Sequence, residues 1–319
     1  MRRKYLGTLQ VASFALFVGC SFFLLIRSSP AQEAPWELVQ WKPAADNPVF
    51  AGTGSSTWDR KIRERGFILI AADGTFHLWY TGYDRDRPTT MSLGHATSRD
   101  GVHWTRDPNN PIFAGSWTED VCVVKQDGVY HMFAEGKNDI AHRLSSRDGL
   151  HWTDHGSLRI FKSDGQPIGP GPYGTPTGWF ENGTWFLFYE RGDQGVWLAT
   201  SRDLEKWTNV KDEPVLARGP GEYDSRALAL NQIVKRGGYY YAYYHASARG
   251  SPRVWTSNVA RSRDLVQWEK YPGNPIVQNN CSSPILVTTP QGDRLYTMHP
   301  DVKVFEPSPK TGSEPLVPR

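Results

Sequence analysis

Ser98-Arg99-Asp100-Gly101-Val102-His103-Trp104 and Ser146-Arg147-Asp148-Gly149-Leu150-His151-Trp152 are two copies of one motif. Ser201-Arg202-Asp203-Leu204-Glu205-Lys206-Trp207 and Ser262-Arg263-Asp264-Leu265-Val266-Gln267-Trp268 are two more. Their intervals of about 50 to 60 residues suit the four-stranded blade of a β-propeller. Each copy falls between a short alternating strand and the tryptophan that opens the next, so it reads as the hairpin between a third and a fourth strand. Asp suits such a turn because its carboxylate accepts bonds from nearby backbone N–H groups. The four aspartates are therefore read as scaffold.

Ahead of each copy comes an inner strand, a Gly-containing turn and an aromatic strand. The aromatic strands are Phe76–Tyr80, Tyr130–Phe133, Trp185–Tyr189, Tyr240–Tyr244 and Leu295–Met298. Five of them predict an all-β, five-bladed propeller. The fifth blade lacks a fourth strand at its C-terminal side, where only Val302-Lys303-Val304-Phe305 precedes a Pro-rich tail. The segment Trp36-Glu37-Leu38-Val39-Gln40-Trp41, followed by Asn47-Pro48-Val49, echoes Leu265–Trp268 and Asn274-Pro275-Ile276. It is the candidate for the missing strand, closing the ring through the two chain ends and removing open sheet edges.

Met1-Arg2-Arg3-Lys4 followed by the apolar stretch Tyr5–Ile26 is an export signal. Ser29-Pro30-Ala31 offers a cleavage site, and a retained N-terminal anchor is the alternative. The expected organisation is a signal over 1–31, one propeller domain over 36–305 and a disordered tail over 306–319. The mature domain would be periplasmic or secreted, monomeric, and free of membrane contact unless the first segment is kept. Cys122 and Cys281 fall on different, non-adjacent blades and are expected as two free thiols.

The 319 residues carry 36 Lys and Arg against 33 Asp and Glu, a net charge of +3. No basic surface of the size that nucleic acid requires is implied. Thirteen Trp and 14 Tyr suit either blade packing or the stacking of sugar rings.

Aligned on their turns, the aromatic strands place Thr81, Glu135, Glu190, His245 and His299 in one register. In a propeller this column rings the mouth of the central channel, together with the residues that start the inner strands. The latter include Trp58-Asp59 and Arg63-Glu64-Arg65 in blade one, and Trp117-Thr118-Glu119-Asp120 in blade two. Blade three supplies Tyr173-Gly174-Thr175-Pro176, blade four Tyr223-Asp224 with Arg226, and blade five Ser282-Ser283. Carboxyl groups crowded at a narrow opening hold at least one proton near neutrality through desolvation and like-charge repulsion. Paired carboxyl groups of that kind perform glycosidase chemistry.

Asp120-Val121-Cys122-Val123-Val124 with Asp127-Gly128, and Glu64 ahead of Gly66-Phe67-Ile68, resemble the five-bladed glycoside hydrolases gathered around glycoside hydrolase family 43. The resemblance implies a base on blade one, a pKa modulator on blade two and an acid in a Glu-Gly-Pro-like context on blade three, with inversion at the anomeric carbon. Glu64 matches the base, with Asp59 close behind, and Asp120 the modulator. Blade three departs, since Gly174-Thr175-Pro176 stands where the acid belongs; Glu190 is the substitute. Asp59, Trp58, Glu119, Glu135, Tyr173, Arg191, Asp224, His245 and His299 are the candidate sugar-binding residues. No cofactor is required, a structural Ca2+ on the axis being the one option, and the expected partner is a carbohydrate. A non-catalytic sugar-binding propeller and a sugar phosphorylase, the latter drawing on Arg63, Arg65 and Arg191, are the competing readings.

Overall fold

The computed structural model describes residues 38–84 and 90–308. The expected export segment and residues 36 and 37 lie outside them, as does the chain from 309 onward. Among the described residues no helix is long and apolar enough to cross a membrane.

The chain forms five antiparallel sheets. Blade one comprises Lys61–Ile70, Phe76–Tyr83, Ser92–Ser98 and Trp104–Arg106, and blade two Glu119–Gln126, Val129–Gly136, Ile140–Ser146 and Thr153–Ser157. Blade three is built on Gly174–Glu181, Thr184–Glu190, Gly195–Ser201 and Lys206–Asn209, and Arg159–Phe161 adds in parallel to its outer edge. Ala227–Arg236, Tyr239–Ser247, Trp255–Ser262 and Glu269–Lys270 make blade four. In blade five, Ser282–Thr289, Gly292–His299 and Lys303–Pro307 are joined by Trp41–Pro43.

The ring thus closes through its two ends, as the sequence predicts, with Trp41 opposite Pro307 and Pro43 opposite Phe305. The closing strand starts later than expected. Leu38-Val39-Gln40 is the counterpart of the turn Leu265-Val266-Gln267, and pairing begins at the tryptophan that follows. Leu38 and Leu265 are both buried as turn residues. Pairing also reaches Glu306 and Pro307, so the ordered strand takes the first two residues of the expected tail.

The Ser-Arg-Asp copies are hairpins between third and fourth strands. In each, the aspartate accepts two backbone N–H bonds at 2.8 to 3.0 Å, for instance from Val102 and His103 to Asp100. The turns also fasten neighbouring blades. Trp79 of blade one donates to the carbonyl of Gly149 in the blade-two turn, and Tyr296 of blade five to Gly101 in the blade-one turn. Tyr243 of blade four donates to Leu38, which marks residues 38–40 as the fifth copy. Gly101 has φ +74°, and a Cβ there would lie 2.3 Å from the Tyr296 hydroxyl, so the close approach needs glycine.

A second repeat is an asparagine clamp. Asn47, Asn110 and Asn274 each pair their side-chain amide with both the N–H and the C=O of one third-strand residue, Val304, His95 and Val259 respectively. Each precedes a cis proline. Cys122 and Cys281 are buried free thiols.

Candidate functional site

Cross-strand register assembles the mouth. Thr81, Glu135, Glu190, His245 and His299 end the second strands, opposite Arg63, Glu119, Gly174, Ala229 and Ser282 at the starts of the inner strands. Just past that level the inner strands of blades one to four each have a register irregularity, which re-aims side chains at the axis end of the sheet. Asp120 and Thr175, within two of these bulges, and Ser283 on the regular inner strand of blade five have φ of 49°, 42° and 58°, a region L-residues seldom occupy.

Glu64 is the most open carboxyl of the group, with 21% of its side chain exposed, and its Oε1 lies 4.0 Å from His299 Nδ1. Burial and the neighbouring Asp120 push its pKa up to about 8, with Glu119 adding to the rise and Arg63 and Arg253 opposing it. Asp120 is buried; its Oδ1 accepts the Arg65 N–H at 3.1 Å and its Oδ2 the Thr175 hydroxyl at 3.4 Å. Glu119 is ion-paired with Arg63 at 2.7 Å and accepts the Trp117 indole N–H at 2.8 Å. Burial nonetheless carries it up to about 7.

Glu135 and Glu190 converge on Gly174. A Cβ there would sit 2.2 Å from Glu135 Oε2 and 2.9 Å from Glu190 Oε1. The two carboxyls therefore occupy the place where an acidic side chain of blade three would begin. Glu135 accepts the Thr175 N–H at 2.6 Å, and burial with the charges of Asp120, Glu119 and Asp139 holds its pKa well above the ordinary value. Glu190 accepts the Asp193 N–H at 2.5 Å and that of Gly174; burial still lifts it to about 7, helped by Asp193 and Asp139.

The two histidines complete the ring in neutral form. Burial lowers His245 to about 4, and it meets the edge of Trp255 at 4.9 Å while bonding Asn231 at 3.1 Å. His299 is lowered by burial and faces Asn280 at 3.4 Å.

Other candidates have scaffold positions. Asp59 is buried and saturated by Thr57, the Tyr80 hydroxyl and Arg106. Trp58 stacks on Tyr80, and its ring fills the space above Gly82 and Gly94. Asp224 is buried against Lys270, whose ammonium also binds the carbonyls of Ala217 and Gly219. Both aspartates tie the loop before an inner strand to a cation on the outermost strand of the same blade. Arg191 lies half-buried in the turn after Glu190. Tyr173 borders a cleft of about 520 Å³ beside blade three, walled by Leu158, Ile160, Phe161 and Ile168 with Ile140 opposite.

Arg65, expected near a phosphate pocket, is fully buried and engaged by blades two, three and four. Its guanidinium donates to Thr177 Oγ1 at 2.7 Å and to the carbonyls of Pro176 at 2.7 Å, Leu230 at 2.9 Å and Asp120. Among the described residues no group of three or more His, Cys, Asp or Glu is placed to hold a metal ion.

Sequence reasoning missed Arg253 and Trp255. Arg253 comes from the loop before the third strand of blade four, stacks on Trp255 at 3.8 Å and pairs with Asp193 at 2.9 Å. An arginine beside a tryptophan in a mouth-side loop was the available signal.

No protein-family model matches the chain. A 1,2-β-oligomannan phosphorylase of Thermoanaerobacter sp. (strain X514) is 24% identical over 290 residues, 82% of this chain and 94% of the relative. A glycosyl hydrolase from Bacteroides ovatus superposes with a TM-score of 0.66 at 18% identity, covering 86% of this chain and 95% of the other. A second structure is described as one of the GH130 family of mannoside phosphorylases, which contains glycoside hydrolases that target β-1,2-mannosidic linkages in Candida mannan. It matches with a TM-score of 0.63 at 17% identity, over 83% of this chain and 92% of the other. The chain has the five-bladed fold of these carbohydrate-active proteins. At its mouth, blade three supplies glycine where the sequence resemblance led to an acid being expected, and two glutamates enter from the adjacent second strands.

Proposed function

We propose that the protein is an exported enzyme that cleaves glycosidic bonds of an oligosaccharide by general acid/base hydrolysis. The observation that carries this reading is the placement of Glu64 and Glu190 on non-adjacent blades around one opening, with Asp120 between them. Glu64, the more open and the more strongly raised, is the acid that protonates the leaving oxygen. Charge on Asp120 keeps that proton in place, the modulator role expected of it. Glu190 is the base: two backbone N–H groups favour its charged form, as activation of a water requires. This division of labour reverses the one expected from the sequence. It rests on the bonds that Glu190 accepts and on the charge of Asp120 beside Glu64.

The cleft at Tyr173 lies on the path away from the mouth and suits further sugar units. β-1,2-linked mannosides are the first substrates to try, given the descriptions of the similar proteins.

Phosphorolysis is the second reading, favoured by Arg63 and Arg253, which both act on Glu64. Each already holds a carboxylate, Glu119 and Asp193. A phosphate would have to displace one. The purified protein should be incubated with β-1,2-mannooligosaccharides and with aryl glycosides, with and without inorganic phosphate. Phosphate-independent release of reducing sugar is expected. Sugar 1-phosphate formed only with phosphate would replace hydrolysis by phosphorolysis, and sugar binding without turnover would make the protein a binding module.

A further inference from the structure

We propose that Arg65 is the positioning residue of the site: it locks Asp120 into the backbone conformation that presents its carboxylate to Glu64. The proposal rests on the acid/base reading above for its kinetic consequence, and on geometry alone for its structural one.

Asp120 has φ 49°, a strained conformation for a non-glycine residue that persists only where its surroundings impose it. Residue 65 supplies the constraint twice. Its main-chain N–H donates to Asp120 Oδ1 at 3.1 Å, and its guanidinium donates to the Asp120 carbonyl. One residue thus fixes both the carboxylate and the peptide of the aspartate across a blade boundary. The same guanidinium takes the Pro176 carbonyl, next to Thr175 at φ 42°, whose hydroxyl reaches the other oxygen of Asp120. Blade four contributes the carbonyls of Leu230 and, at 3.4 Å, Asn231. The planar fork reaches acceptors in several directions from one rigid group, which a lysine ammonium on a flexible stem does not reproduce.

Burial of a guanidinium is costly unless its donors are satisfied; here the two terminal nitrogens are met largely by carbonyls of strand irregularities, while Nε has no partner among the described residues. The irregularities of blades two to four and the arginine support one another: each bulge turns a carbonyl toward the charge, and the charge holds the bulge. Blade five is outside this arrangement, its Ser283 making no bond to Arg65.

The consequence reaches Glu64. The groups acting on it are Arg63 on its own strand, Glu119 and Asp120 from blade two, Arg253 from the blade-four loop and His299 from blade five. Of these, Asp120 is the strongest charge holding the Glu64 proton, and Arg65 sets where that charge lies.

The test compares the wild-type protein with Arg65→Lys, and with Thr177→Val, which keeps the arginine but removes one acceptor. In Arg65→Lys the crystal structure should show Asp120 out of the left-handed region and its carboxylate displaced. With a turned-over substrate, kcat should fall about a hundredfold while KM changes less than about threefold, the pattern of a misplaced group rather than lost substrate binding. The alkaline limb of the pH profile should move down by about one unit, because Glu64 loses the neighbouring charge that raises it. Thr177→Val should move the same readouts in the same direction by smaller amounts, and it decides the matter if Arg65→Lys does not fold. An Asp120 that keeps its conformation and an unmoved alkaline limb would overturn the proposal. Should the wild-type protein turn over no glycoside, the acid/base reading fails, and the conformation of Asp120 in the variants still decides the role of Arg65.

Discussion

His299 Nδ1 stands 4.0 Å from Glu64 Oε1, and burial keeps the imidazole neutral where the carboxyl titrates. A charged histidine there would drive the proton off Glu64; a neutral one leaves Asp120 to hold it. On the proposed acid/base reading, turnover needs Glu64 protonated and Glu190 ionised. Activity should therefore rise as pH increases through about 7, where Glu190 loses its proton, and fall as pH passes about 8, where Glu64 does. A kcat/KM profile measures both limbs. A plateau extending well below pH 6 would remove Glu190 as the base.

Glu64→Gln separates an acid from a structural residue. An acid matters in proportion to how poor the leaving group is. On an oligosaccharide, kcat should drop by about 10² to 10⁴, whereas a dinitrophenyl glycoside, which departs without protonation, should lose about tenfold or less. Equal losses on both substrates would place Glu64 elsewhere in the mechanism.

The carboxyls of the mouth also act on stability. Glu64, Glu119, Glu135 and Glu190 all bind protons more tightly in the folded protein than in the unfolded chain. Groups shifted in that direction contribute stability that is full below their unfolded pKa and is lost as pH rises through the folded value. The melting temperature should accordingly decline from about pH 5 to about pH 8, and Glu135→Gln should be more stable than wild type at the upper end. Scanning calorimetry across that range checks both. A wild-type melting temperature that rises over the interval would contradict the shifts.

Much of this architecture was legible because repetition makes it so. The Ser-Arg-Asp turns set the repeat length, and the aromatic strands gave both the blade count and the register that brings Glu135, Glu190, His245 and His299 to one face. What the repeat does not encode is the direction of a side chain just before a strand. Asp59 and Glu64 are five residues apart, and both precede the apolar run of one inner strand. One turns to Arg106 and Tyr80, the other to the mouth. Their difference comes from a cation on the outermost strand and from the bulge between Arg63 and Phe67, neither of which periodicity reveals. Arg65 was visible as a charge beside an apolar strand, but its acceptors are backbone carbonyls, which carry no sequence signature.

Asp224 tests that distinction. Asp224→Asn leaves Lys270 buried beside a neutral amide, and breaking a buried pair in this way costs about 3 to 5 kcal/mol. The variant should melt at a markedly lower temperature and retain kcat and KM within about twofold at a temperature where it is folded. A selective rise in KM at unchanged stability would return Asp224 to the sugar-binding set.

Closure of the ring depends on three paired residues, Trp41 to Pro43, and on the turn before them. The same segment receives the Tyr243 hydroxyl at Leu38 and covers the edge of Lys303–Pro307. Removing residues 38–43 would expose that edge to pairing with another chain and take away the Leu38 carbonyl that the Tyr243 hydroxyl bonds. The shortened protein should be recovered as aggregates, or as dimers in which the edge strands pair. Trp41→Ala in the full chain removes only side-chain packing and should remain a soluble monomer of reduced stability. Size-exclusion chromatography with light scattering distinguishes these outcomes. A monomeric, cooperatively melting truncation would mean that blade five stands on three strands and that the N-terminal segment is dispensable to the ring.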